Sequence, residues 1–356
     1  MPGPPDHFSR PGDAKGVVSQ GSQRSVVQLD KNENPFDVPP ALKDETLRRL
    51  AGRAWSRFPD ETPKRLLEKL AAFNEWDEKG ILVGNGSSEL AQSFLEATVR
   101  QGIRILIPDP AVGPIPQLAR QVGAEVLGVP LTDSLQFNIP RLCSRVVAMK
   151  ANMVILGSPH NPAGCVMAES DLVTLLKITE GFVVVDEAYH EFARKTFAPL
   201  LKQYPNLVLL RTFSIALGMA ALRIGYLMAA PELVRQLNQD RLPYHLNLFS
   251  ATAAEVAIDY HAQLRALIEK VISERERVYQ ELRQVKGIEP VPSHANFMIL
   301  RSDLSGRQLC ELLEAKDILV YDLSAHSMLT NSVRVSVGTP KDNDRLIAVL
   351  KEILPQ

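Results

Sequence analysis

The stretch Arg211-Thr212-Phe213-Ser214-Ile215-Ala216-Leu217-Gly218-Met219-Ala220-Ala221-Leu222-Arg223-Ile224-Gly225-Tyr226 is set between two apolar runs, 207–210 and 224–228. Runs so short and so apolar read as strands buried on both faces. The link between them carries two hydroxyls, Thr212 and Ser214, and a guanidinium, Arg223. Together these make a sensible cradle for a dianion. Four more runs of this kind, at 81–83, 103–107, 153–156 and 182–185, alternate with amphipathic segments. That rhythm predicts an α/β fold with a doubly wound, mostly parallel sheet in a large domain.

The rest of the chain predicts a second unit. A helical pattern over about 254–285, with Glu269, Lys270, Glu274, Arg275, Glu276 and Arg277 on its wet faces, is expected to bridge two domains. Strands at 296–300, 318–321 and 333–337 and a helix at 342–354 then suggest a small α+β domain, completed by residues near Asp30. The expected division is a flexible tail over 1–25, rich in Pro, Gly, Ser and Gln, a small-domain segment at 26–45, a large domain at 46–254, and a bridging helix with the small domain at 255–356.

Composition narrows the function classes. Of 356 residues, 40 are basic and 41 acidic, so neither a nucleic-acid nor an anionic-membrane partner is expected. Cys143, Cys165 and Cys310 are scattered without CxxC spacing, which reads as reduced thiols rather than disulfides or a zinc site. No run reaches membrane-spanning length and the first residues lack an apolar signal region, so a cytoplasmic protein is expected.

In doubly wound sheets ligands bind beyond the carboxyl ends of the strands. After 81–83 comes Gly84-Asn85-Gly86-Ser87-Ser88-Glu89-Leu90, a glycine turn entering a helix whose free N–H groups suit a phosphate at Ser87 and Ser88. A serine-capped helix after an ordinary turn reads the same way. After 153–156 comes Gly157-Ser158-Pro159-His160-Asn161-Pro162-Ala163-Gly164, a turn in its own right. The run Val183-Val184-Val185-Asp186-Glu187-Ala188-Tyr189-His190-Glu191-Phe192 puts a carboxylate at the end of a buried strand, where it needs a cationic partner. A structural salt bridge would meet that need. A metal held by the Asp, Glu, His and Glu residues ranks lowest, because they alternate along one strand end instead of converging.

Taken in order, these stretches resemble the fold-type I, class I/II pyridoxal-phosphate-dependent aminotransferases, above all histidinol-phosphate aminotransferases, over roughly 29–354. The resemblance implies pyridoxal 5'-phosphate as cofactor, its phosphate held at Thr212, Ser214 and Arg223 beside Ser87 and Ser88. It places Asn161 and Tyr189 at the phenolic oxygen and Asp186 at the ring nitrogen. It makes Asn34, in Lys31-Asn32-Glu33-Asn34-Pro35, and Arg334, in Ser332-Val333-Arg334-Val335-Ser336, substrate-binding residues, and it implies a homodimer. Four positions depart from the family pattern: Val112 stands where an aromatic stacks on the ring, Phe58 where a tyrosine reaches the partner subunit's phosphate, Tyr321 where an arginine is usual, and Ile215 where a lysine bonds the cofactor covalently. An isoleucine has no amine, so it can neither anchor the cofactor nor move the proton the reaction requires. The implied function is a relative of the enzymes that transfer an amino group between histidinol phosphate and 2-oxoglutarate, with transamination lost and the cofactor held non-covalently if at all. Three other readings stay open: an active aminotransferase on histidinol phosphate or aromatic amino acids, a non-catalytic dimerising regulator, and a different pyridoxamine-phosphate reaction with His160 or His245 as base.

Overall fold

The computed structural model describes residues 26–239 and 241–354. The tail expected over 1–25 lies outside the described residues. Among the described residues thirteen strands follow in chain order: β1 (Val27–Gln28), β2 (Ile81–Gly84), β3 (Arg104–Asp109), β4 (Glu125–Pro130), β5 (Met153–Gly157), β6 (Phe182–Asp186), β7 (Leu207–Thr212), β8 (Gly225–Met228), β9 (Ile288–Pro290), β10 (Phe297–Ser302), β11 (Ile318–Leu319), β12 (Tyr321–Asp322) and β13 (Ser332–Ser336). Seven of them form one sheet in the order β2-β8-β7-β6-β5-β3-β4. Neighbours from β7 to β4 pair in parallel, while β8 is antiparallel to both β7 and β2.

The central strands carry apolar runs up to their carboxyl ends because their two faces sink into different cores. Val154, Leu156, Val183, Val185, Leu207 and Leu209 face one core, and Ile155, Val184, Val208 and Leu210 face the other. The helix Leu248–Asp259 packs on the first face through Ala253, Ala254, Val256 and Ala257. The helix Ser87–Thr98 covers the second face with Leu90, Ala91, Phe94 and Leu95. Burying one Leu or Val side chain stabilises by about 1.5–3 kcal/mol, so these two layers carry much of the fold.

A four-stranded antiparallel sheet, β12-β13-β10-β9, lies in the C-terminal part, and β1 pairs with β11 in parallel. Val27 and Leu29 join the apolar cluster of that part, with Leu300, Leu309, Val333 and Leu346.

Several elements differ from the sequence reading. The helix expected over 254–285 is two helices, Leu248–Asp259 and His261–Leu282, which meet at Tyr260 (φ −96°, ψ 14°). With no Gly or Pro at the junction the pattern reads as continuous. The first helix is mostly apolar and packs on the large sheet's core through its alanines, whereas the second is charged along its wet faces and its N- and C-terminal halves meet different cores. The strand expected at 318–321 divides at Val320, where the chain passes from β11 to β12 and changes sheets. Strand β4 was not anticipated: it is an edge strand whose apolar residues are interrupted by Glu125 and Gly128. The short β9 and the helix Gly306–Glu314, with its Ser305/Gln308 capping box, were also missed.

Candidate active site

The carboxyl ends of β3, β5, β6 and β7 and the start of the helix Ser87–Thr98 surround a cavity of about 260 Å³. Its lining includes Ser87, Ser88, Val112, Asn161, Asp186, Tyr189, Thr212, Ser214, Ile215 and Arg223. Strand alternation selects which polar groups reach it. Asp186 follows Val184 on the face covered by Ser87–Thr98, and Thr212 follows Leu210 on that same face.

At one end of the cavity the chain is drawn tight around the helix N-terminus. Gly86 has φ 88°, and a Cβ there would lie 2.4 Å from Arg223 Nη2. Gly225 lets β8 approach the helix so closely that its own Cβ would lie 2.3 Å from the Ser87 nitrogen. Arg223 itself adopts φ 51°, and its Nη1 donates to Ser214 Oγ at 3.0 Å. Thr212 Oγ1 accepts from the Ser214 N–H at 3.0 Å. The helix N-terminus, two hydroxyls and a guanidinium thus meet in one place, an arrangement whose chemistry suits a phosphate dianion.

Asp186 lies at the cavity wall. Its Oδ1 accepts from the Ala188 N–H at 3.0 Å, and no cation stands within ion-pair distance of it among the described residues. Burial raises its pKa to about 6, since the charged form is deprived of solvent. Its neighbour Glu187 faces the opposite side of the sheet. There it is wholly buried and pairs with Arg211 at 2.8 Å, accepting also from Thr196 Oγ1 and from the Phe197 N–H at 2.6 Å. His190 Nδ1 meets Glu191 Oε2 at 3.0 Å. The Asp, Glu, His and Glu series is therefore split between two faces, and no three potential metal ligands converge among the described residues.

A chain of hydrogen bonds borders the other side. Tyr189 Oη accepts from Asn32 Nδ2 at 3.0 Å and from Asn161 Nδ2 at 3.4 Å. Asn161 Oδ1 accepts from Arg334 Nη1 at 2.7 Å, and Arg334 Nη2 donates to the Asp30 carbonyl at 2.8 Å. Burial raises the Tyr189 pKa, so its hydroxyl keeps its proton at neutral pH.

Not every candidate residue reaches the cavity. Asn34 is turned away from it: its amide donates to the Ala216 carbonyl at 2.8 Å and its Oδ1 accepts from the Phe36 N–H, so it clamps the segment after Ser214. Asn32, which the sequence reading passed over, is the asparagine that contacts Tyr189. Its signal was local, since a buried Asn with φ 57° suits a polar turn position. Phe58 is 82 % exposed and stacks on Tyr244 at 4.8 Å, away from the cavity. His160 lines the cavity, but burial lowers its pKa to about 4. His245 lines a different cavity with Leu67, Ile81 and Val83, so it is not positioned as a base here.

The sequence profile of the class I and II aminotransferases matches residues 24–350. The chain belongs to that family. Histidinol-phosphate aminotransferase of Chlorobium phaeovibrioides is 32 % identical over 94 % of this chain and 93 % of its own length. That of Caldanaerobacter subterraneus subsp. tengcongensis is 34 % identical over 92 % and 93 %. Two solved structures share the aminotransferase fold, each at 24 % identity and a TM-score of 0.84. The histidinol-phosphate aminotransferase of Clostridium acetobutylicum covers 92 % of this chain and 99 % of its own. The Sinorhizobium meliloti enzyme, solved in complex with pyridoxal-5'-phosphate, covers 92 % and 90 %. The α/β architecture with its large, mostly parallel sheet is thus that of the fold-type I aminotransferases.

Proposed function

We propose that this aminotransferase-family chain binds pyridoxal 5'-phosphate or its amine form without a covalent bond, and that it has lost the amino-group transfer of its histidinol-phosphate aminotransferase relatives. The observation that carries the reading is Ile215: it lines the cavity, half-buried against the apolar cluster that holds Tyr189, Ala216 and Phe297, with the polar groups for a phosphate and a ring around it. Among the described residues, no lysine or cysteine lines that cavity.

The residues present fit the cofactor. The Arg223, Ser214, Thr212 and Ser87 cluster suits its phosphate, and the unpaired carboxylate of Asp186 suits a protonated ring nitrogen. Asn161 and Tyr189 can donate to the phenolic oxygen, while Val112 supplies apolar contact without aromatic stacking. The cofactor would bring an electron-accepting ring. This chain's own groups would orient it, and at position 215 there is no side chain to accept or return a proton.

The large sheet and its helices, residues 46–254, would form the cofactor-binding domain, with 26–45 and 255–356 in the smaller one. Exposed Trp55, Phe58 and Leu242 support assembly as a homodimer. A cytoplasmic small-molecule role accords with these relatives; among the described residues no helix is long and apolar enough to cross a membrane.

Titration with pyridoxal 5'-phosphate should give a saturable absorbance change, and borohydride should fix no cofactor to the protein. A lysine-linked adduct in the mass spectrum would overturn the reading. Ile215→Lys should acquire a borohydride-reducible visible band.

A further inference from the structure

We infer that Arg241 is a positioning residue for the phosphate cradle: by neutralising Glu89, the carboxylate that fastens the turn at 84–86, it lets that turn be held closed without repelling an anionic ligand. This deepens the proposed function and rests on it for the role of the cradle as a phosphate site.

The helix Ser87–Thr98 begins on Gly86, which has no side chain to cap it. Glu89, in the first turn, reaches back instead: its Oε2 accepts from the Asn85 N–H at 2.9 Å. The fit is close, since a Cβ on Gly84 would lie 2.2 Å from that same oxygen. Arg241, from the segment between the helices Pro231–Gln239 and Leu248–Asp259, completes the clamp. Its Nη2 donates to both Glu89 oxygens, at 2.8 and 3.0 Å, and its Nη1 donates to the Val83 carbonyl at 2.7 Å. Its side chain is only 5 % exposed. One guanidinium thus ties the end of β2 to the first turn of the helix, with the glycine turn between them.

Charge makes the pair more than a cap. An acidic group in the first turn favours the helix, because it meets the positive end of the dipole. A phosphate draws on that same end, so an unpaired Glu89 would compete with the ligand. One peptide step, about 3.8 Å, separates Asn85 from Gly86, and a Cβ on Gly86 would abut Arg223. The carboxylate therefore stands within about 10 Å of the cradle, the range over which charges act in about 0.1 M salt. Arg241 cancels it. Burial holds the neighbouring His245 below the ordinary histidine pKa, so at neutral pH the charge balance falls to Arg241. A clamp without net charge keeps Ser87 and Ser88 at the cavity wall and leaves the dipole and Arg223 to the ligand.

Titrations of the full-length protein with pyridoxal 5'-phosphate, by absorbance, and with inorganic phosphate, by calorimetry, test this. Arg241→Met should weaken both about tenfold at about 0.02 M salt, and the loss should shrink to about threefold or less at about 0.5 M. Arg241→Lys, which keeps the charge without the fork, should recover most of the affinity. Glu89→Gln, whose amide oxygen can still accept from the Asn85 N–H, should bind phosphate at least as tightly as wild type. A clamp that acted only by shape would lose affinity in both Arg241→Met and Glu89→Gln and would ignore salt. That outcome, or unchanged affinity in Arg241→Met, would overturn the inference. Where Arg241→Met loses its near-UV circular dichroism, and with it the fold, Glu89→Gln decides: weaker phosphate binding overturns the inference, and equal or tighter binding supports it. Wild type that binds inorganic phosphate but not pyridoxal 5'-phosphate would overturn the proposed function and leave the phosphate titrations to decide this one. Binding of neither would overturn both.

Discussion

Asp186 shows how a single side chain reports on an active site through its titration. Burial raises its folded-state pKa to about 6, from 3.8 in an unperturbed aspartate. The folded protein therefore holds the proton more tightly than the unfolded chain, and the sign follows: the contribution to stability is fully present below about pH 4 and is lost as pH rises through about 6. In cofactor-free protein that loss amounts to roughly 2–3 kcal/mol between those limits. Asp186→Asn should remove the dependence, so denaturant midpoints of wild type should fall more steeply than those of the variant between pH 4 and 7. Parallel curves would show that Asp186 is not the group responsible. Ile215 poses the complementary case. Under the proposed function its consequence is chemical, because an isoleucine offers no amine, whereas as a packed residue it is an ordinary neighbour of the apolar cluster around Ala216 and Phe297.

At the scale of elements, the helix Ser87–Thr98 and strands β6 and β7 carry the arguments. Gly86→Ala would place a methyl group against Arg223 at a positive φ that L-residues avoid. The expected outcome is a loss of about 1–3 kcal/mol in unfolding experiments and a weakening of pyridoxal 5'-phosphate binding of about tenfold or more by absorbance titration. On the other face of the sheet, the Glu187–Arg211 pair is sealed among Thr196, Asn74 and Tyr226. Removing one partner leaves a buried cation uncompensated, so Glu187→Gln should cost about 3–5 kcal/mol in urea denaturation, without contacting the cavity. A cost below about 1 kcal/mol would mean that solvent reaches Arg211.

Across the whole molecule, two sheets are joined by polar contacts made at the site itself. Asn32 connects to Tyr189 and Ser336, Asn296 Nδ2 donates to the Asn32 carbonyl at 2.8 Å, and Arg334 reaches across to Asn161. Asn32→Ala should remove that connection and lower stability by about 1–3 kcal/mol, read from the thermal midpoint, because it leaves buried groups unpaired. Sedimentation should show a dimer that Phe58→Asp weakens, since Phe58, Trp55 and Leu242 are each about four-fifths exposed. A wild-type protein that sediments as a monomer at micromolar concentration would exclude the dimer.

What the sequence determined by itself was local and ordered: short apolar runs, each followed by a polar turn, and a link between two of them carrying Thr212, Ser214 and Arg223. Such runs are readable because strands buried on both faces require continuous apolar residues. The helix break at Tyr260 was hidden because neither Gly nor Pro marks it, and β4 because an edge strand needs only partial burial. Which polar residues share the cavity was a tertiary matter. Adjacent Asp186 and Glu187 went to opposite faces by strand alternation. Asn32, two residues before the asparagine the pattern favoured, reached Tyr189 because a left-handed turn re-aims its amide. Arg334 met Tyr321 only through the pairing of β12 with β13, a register set by distant backbone hydrogen bonds that no local stretch encodes.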